Sequence, residues 1–167
     1  PWSGYYEINP ALWIMAHWGQ FCEVGWRFLR NRTDSATPSG SGLLPHGGGS
    51  YVTLVPPLAS TLWPNGTFTL IVESLQGSCG TQGHCNVPTF SDNQTVTFTL
   101  RHGLGVNAEN ELAVFCSTSA SSVFERRPNV KLSRGANLAS SIMFSFTVVP
   151  DSICTFTTLM KNGTKGT

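Results

Sequence analysis

The chain has 167 residues, of which 11% are charged, and a formal net charge of +1. That length suits one domain with a real core. A near-neutral balance with no basic stripe and no acidic tail excludes a nucleic-acid partner and a solvating segment, and no apolar run approaches the roughly 20 residues that a membrane-spanning helix needs.

The first 29 residues, PWSGYYEINPALWIMAHWGQFCEVGWRFL, hold four of the five tryptophans. The chain opens on Pro1 with no basic and then apolar leader, so it reads as a piece of a longer protein. Asn9-Pro10 reads as an N-cap followed by a favoured first helical residue. A helix of about three turns is expected over residues 11–21. Its apolar set, Leu12, Ile14, Met15, Trp18 and Phe21, covers a wide arc and predicts that much of the helix is buried. His17 on this helix reads as a structural histidine. Trp13, Trp18 and Trp26 read as core residues, whereas Trp2 lies in a turn-like aromatic loop.

Residues 26–29 suit a first strand, and residues 31–49 read as a flexible loop rich in Ser, Thr, Pro and Gly. From Ser50 onward the pattern has period two. Strands are expected at 51–55, 67–73, 95–100, 112–116, 142–149 and 153–159. Thr alternating with Phe, Leu or Val predicts one face inside and one face wet. Turn residues separate the strands at Pro56-Pro57, Pro64-Asn-Gly66, His102-Gly103 and Pro150-Asp151. Six or more such strands make an antiparallel β-sandwich, so the fold class is mainly β.

Four N-x-S/T acceptors, at Asn31, Asn65, Asn93 and Asn162, stand in turn-like settings and indicate a glycoprotein of the secretory route. Five cysteines leave one without a partner inside the chain. Cys79 and Cys85 flank a Gly-rich loop that can close as a small disulfide ring. A zinc site at Cys79, His84 and Cys85 fails on spacing, so no metal is expected.

None of the nine acids stands in a context that forces a catalytic role. Glu7 alone follows the aromatic loop, and it reads as structural. No nucleophile elbow lies between a strand and a helix. Gly47–Gly49 precedes a strand, so it offers no helix N-terminus to a phosphate.

Several blocks resemble the galactocerebrosidase family of glycoside hydrolases. Pro1-Trp-Ser-Gly4 with Tyr6 is similar to the loop leaving the last strand of that family's catalytic barrel. Ala16-His17, Gln20-Phe21, Gly25-Trp26 and Leu29 resemble its final helix and the entry to a companion sandwich. Gly48-Gly-Ser-Tyr-Val52, Thr69-Leu-Ile-Val-Glu73, Phe156-Thr-Thr-Leu159 and Lys165-Gly166 continue the match in order.

The resemblance implies that residues 1–24 are a remnant of a (β/α)8 barrel and that residues 25–167 are the sandwich. It implies a retaining hydrolase that removes β-linked galactose from glycosphingolipids and uses two glutamates upstream of Pro1. By this reading the chain contains no catalytic residue, needs no cofactor and is inactive alone. Trp2 becomes a candidate for stacking on a sugar ring. The family's sugar-binding arginine, in a Cys-x-Arg-Pro context, corresponds to Val87 in Cys85-Asn-Val-Pro88. His84 and Asn86 are the substitute donors, since valine has none. In the family the cysteine of that motif pairs with a barrel cysteine, which Cys85 can also do. The implied partners are a glycolipid or β-galactoside substrate and a lipid-presenting activator protein, and the implied address is lysosomal or extracellular. The rival reading is a secreted, non-catalytic sandwich that binds carbohydrate or mediates adhesion.

Overall fold

A computed structural model describes residues 10–29, 40–57, 62–74, 92–100, 104–106, 109–118, 122–135, 141–161 and 164–165. Its one helix among these, α1 (Pro10–Gly19), precedes the strands β1 (Arg27–Phe28), β2 (Ser41–Leu43), β3 (Gly49–Val55), β4 (Thr69–Ser74), β5 (Gln94–Leu100) and β6 (Glu111–Ser117). They are followed by β7 (Glu125–Lys131), β8 (Ser133–Arg134), β9 (Ile142–Val148), β10 (Ser152–Thr157), β11 (Met160–Lys161) and β12 (Thr164–Lys165).

Every pairing is antiparallel. The main sheet runs β1-β3-β4-β10-β6-β7, with β2 sharing the β1 edge of β3. A second sheet runs β5-β9-β8, and β11 with β12 forms a short ribbon.

The core lies between the two larger sheets. Leu70, Val72, Leu112, Val114 and Phe156 of the main sheet meet Val96, Phe98, Phe144 and Val148 of the second. Phe98 stacks on Phe144 at 5.1 Å, and Phe146 stands edge-on to Phe156 at 4.8 Å. Period two explains this layer. Thr95, Thr97 and Thr99 of β5 face solvent while Val96, Phe98 and Leu100 point inward. Such alternation fits a sheet with one wet face.

The main sheet departs from that expectation. All six residues of β10 are buried, and Thr69, Thr155 and Thr157 have no exposed surface. These threonines do not form a wet face, because α1 and the segment after it lie over them. Thr69 Oγ1 donates to the Phe21 carbonyl at 2.6 Å and shares a bond of 2.9 Å with Thr157 Oγ1. The hydroxyls are satisfied locally, which is what permits their burial.

The helix is less buried than its composition predicts. Leu12, Ile14 and Met15 are 56%, 50% and 65% exposed, whereas His17 is fully buried. One face rests on the sheet and the other is apolar and open. The helix also ends at Gly19, before Phe21. Trp13, Trp18 and Trp26 are half-buried at its seam with the sheet, not deep in a core.

The expected flexible loop at 31–49 is corrected over its second half. Ser41–Leu43 forms β2 and pairs with Ser50–Val52. Gly47 and Gly48 adopt φ of 80° and 67° and turn the chain between β2 and β3. The local Gly richness therefore serves a hairpin. Residues 31–39 lie outside the described residues.

Strand β7 gave no period-two signal, since its sequence is ERRPNVK. It is an edge strand, and its register shifts between Leu112 and Val114, near Pro128. An edge with a bulge is where a strand tolerates proline. The turn at Pro64-Asn-Gly66 closes as expected, with Thr67 N–H on the Pro64 carbonyl at 3.2 Å.

Cys116 and Cys154 face each other across β6 and β10 and form a buried disulfide, with Cα atoms 4.2 Å apart. Their pairing follows from strand register and was not anticipated from spacing. Cys79 and Cys85 lie outside the described residues.

Candidate functional site at the helix-capped face

The outer face of the main sheet carries the polar chemistry of the described residues. It divides into a sealed seam under α1 and an open cleft beside it.

In the seam, His17 projects from α1 onto two strands. Its Nδ1 lies 2.8 Å from Thr155 Oγ1 on β10, and its Nε2 lies 2.9 Å from Ser117 Oγ on β6. Ser117 Oγ also accepts the Phe124 N–H at 2.8 Å. Neutral imidazole has one donor and one acceptor, and the hydroxyls can match both. Burial holds the pKa of His17 down from 6.5 to about 4, because the charged form loses its hydration. These two bonds make the histidine a clasp between helix and sheet, in keeping with the structural reading.

Phe124 seals the clasp. It sits at φ 50°, a left-handed conformation unusual for a bulky residue. Its ring is edge-on to His17 at 4.9 Å and stacks near Phe115 at 5.2 Å and Phe21 at 5.7 Å. Trp13 lies beyond it at 6.4 Å. Arg126 covers the far side of Phe115, its guanidinium carbon 5.2 Å from the ring centre. Arg126 stays exposed while it covers this ring, and its neighbour Arg127 pairs with Glu125 at 3.2 Å. Sequence reading missed Phe124 altogether, since its role depends on a contact with a helix more than 100 positions earlier.

On the other side of Trp18 lies a cleft of about 290 Å³, lined by Trp18, Ser41, Ser50, Val52, Ile71 and Glu73 together with Gly42 and Tyr51. Strand register builds it. Ser50 stands opposite Glu73 and Val52 opposite Ile71 on β3 and β4, while Ser41 stands opposite Val52 on β2. Ser50 Oγ donates to Glu73 Oε1 at 2.7 Å. Ile71 is buried, and Trp18 packs with the Leu54, Ile71 and Ile153 cluster.

Trp2, His84, Asn86 and Val87, the residues expected to meet a sugar, lie outside the described residues, as do Glu7, Asn31 and Asn162. Asn65 and Asn93 are exposed. The Asn65 sequon occupies a tight turn in which Thr67 Oγ1 donates to the Pro64 carbonyl at 2.7 Å. Among the described residues no group of three or more His, Cys, Asp or Glu side chains is placed to hold a metal, and no helix is long and apolar enough to cross a membrane.

No protein-family model matches the chain. Curated relatives do. Galactocerebrosidase of Canis lupus familiaris is 32% identical over 167 residues, covering 99% of this chain and 22% of the relative. Galactocerebrosidase of Salmo salar is 30% identical over 178 residues, covering 100% and 22%. That of Homo sapiens is 28% identical over 169 residues, covering 99% and 21%. The chain thus spans about a fifth of the length of the relatives it matches. From end to end, it is a homologue of one segment of the galactocerebrosidases.

Proposed function

We propose that the chain is the sandwich portion of a galactocerebrosidase-like retaining glycoside hydrolase that removes β-linked galactose from glycosphingolipids. Residues 1–24 are then the last loop and helix of the catalytic barrel, and residues 25–167 are the sandwich packed on it. The chemistry belongs to two barrel carboxylates upstream. One attacks the anomeric carbon as the other protonates the leaving oxygen, and water then hydrolyses the glycosyl-enzyme. The loop 79–90 covers the sugar, with Val87 in place of an arginine, and Trp2 stacks on the ring. The parent travels the secretory route as a glycoprotein to the lysosome or the cell exterior and meets its glycolipid on an activator protein.

The observation that carries this reading is the match of the whole chain to about a fifth of galactocerebrosidase. The helix supports it. An element clasped by His17 on one face and apolar at Leu12, Ile14 and Met15 on the other suits a helix shared between two bodies.

The test expresses the chain together with the polypeptide encoded before it and assays a chromogenic β-galactoside and galactosylceramide. Turnover in the longer protein, lost when either barrel glutamate becomes glutamine and absent from the 167-residue chain, is the expected result. Hydrolysis by the chain alone overturns the proposal. A folded longer protein that binds sugar without turnover replaces it with the secreted carbohydrate-binding or adhesion module.

A further inference from the structure

The open cleft beside Trp18 plays no part in the proposed hydrolysis. Its volume of about 290 Å³ is at the small end of ligand pockets. That suits a single six-membered ring better than a lipid chain or an extended glycan. Trp18, Val52 and Ile71 supply an apolar wall, and Ser41, Ser50 and Glu73 supply the polar rim. Ser50 holds one oxygen of the Glu73 carboxylate, and among the described residues the carboxylate has no cationic partner.

We infer that this cleft binds a monosaccharide unit, separately from any catalytic sugar site. A pyranose has one face of C–H groups and a rim of hydroxyls, and the lining offers apolar side chains beside hydroxyls and a carboxylate. The Glu73 carboxylate can accept a hydrogen bond from each of two neighbouring sugar hydroxyls. Ser50 fixes the carboxylate orientation in advance, so that orientation is not a cost of binding. A metal ion is a poor fit, because among the described residues of the lining Glu73 is the only carboxylate. The mixed rim of hydroxyls with one acid favours a polyol over an organic cation.

The site is tested on the chain itself by titrating the isotopically labelled protein with methyl β-galactoside, methyl β-glucoside and methylguanidinium. The readout is amide and indole chemical shifts, so the result is independent of whether the parent hydrolyses anything. One of the glycosides is expected to bind with a dissociation constant on the order of 1 mM, the range that a ligand this small reaches. The shifts should centre on Trp18, Ser50 and Glu73. Glu73→Gln should weaken binding about tenfold, the loss expected for a charge-assisted pair, and Trp18→Phe should weaken it less. A native-like spectrum from each variant shows that the fold is intact. No saturable shift with either glycoside overturns the inference. So does glycoside binding that Glu73→Gln leaves unchanged, or tighter binding of methylguanidinium than of both glycosides.

Discussion

The two faces of the main sheet are buried by different means. The inner face meets a second sheet, and its contacts are almost all hydrocarbon: Phe156, Val72, Leu112 and Val114 against Phe98, Phe144 and Val148. The outer face meets a helix, and its buried side chains include His17, Thr69, Thr155 and Thr157. An apolar face is held by area removed from water and tolerates any partner of the right shape. A polar face is held only while each hydroxyl and ring nitrogen keeps its partner. The inner face therefore supplies stability, and the outer face fixes where the helix sits.

Inner-face changes should have the largest effect. Phe156 is fully buried between the sheets, and Phe156→Ala should cost about 3–5 kcal/mol in urea unfolding. A loss under about 1 kcal/mol would mean that the second sheet does not press on β10. Next is the disulfide that staples β6 to β10. With Cys116 and Cys154 separated by 38 in sequence, its reduction should cost up to about 4 kcal/mol by loop-closure entropy. Thermal unfolding with and without reductant measures this, and an unchanged midpoint would contradict the pairing.

The outer face should show itself through pH. The folded pKa of His17, about 4, lies below the unfolded value of 6.5. As pH falls, the unfolded chain takes up the proton first. The stability held by neutral His17 is complete above pH 6.5 and drains away as pH falls towards 4. At about pH 5 the loss is on the order of 2 kcal/mol. Urea midpoints across this range should fall in the native chain and stay flatter in His17→Asn. Parallel slopes would place the titration elsewhere. The smallest effect belongs to the helix's open side. Ile14→Ser and Met15→Ser should change the stability of this chain by no more than about 0.5 kcal/mol. In the longer protein the same changes should cost more, if a barrel covers that face; equal effects in both would argue against the cover.

The strands that build the inner face were legible because alternation is local. Val96, Phe98 and Leu100 announce their side of β5, and six expected strands match β3, β4, β5, β6, β9 and β10 in position. Strand β7 was not legible. Its edge position and nearby bulge relax the alternation that marks a strand, and Pro128 reads as a breaker until the edge is known. The cleft was legible only in part. The block Gly48-Gly-Ser-Tyr-Val52 and the block Thr69-Leu-Ile-Val-Glu73 were both singled out, but nothing local says that Ser50 faces Glu73.

The sequence by itself determined where six of the strands lie, that a helix begins at Pro10, and which family the blocks resemble. These depend on neighbours a few residues apart. Only the tertiary structure decided that Cys116 meets Cys154, that His17 reaches Thr155 from 138 positions away, and that the threonines of β10 are dry. Each depends on which surface comes to cover another, and burial turns the same threonine from a solvated side chain into a hydrogen-bonded part of the seam.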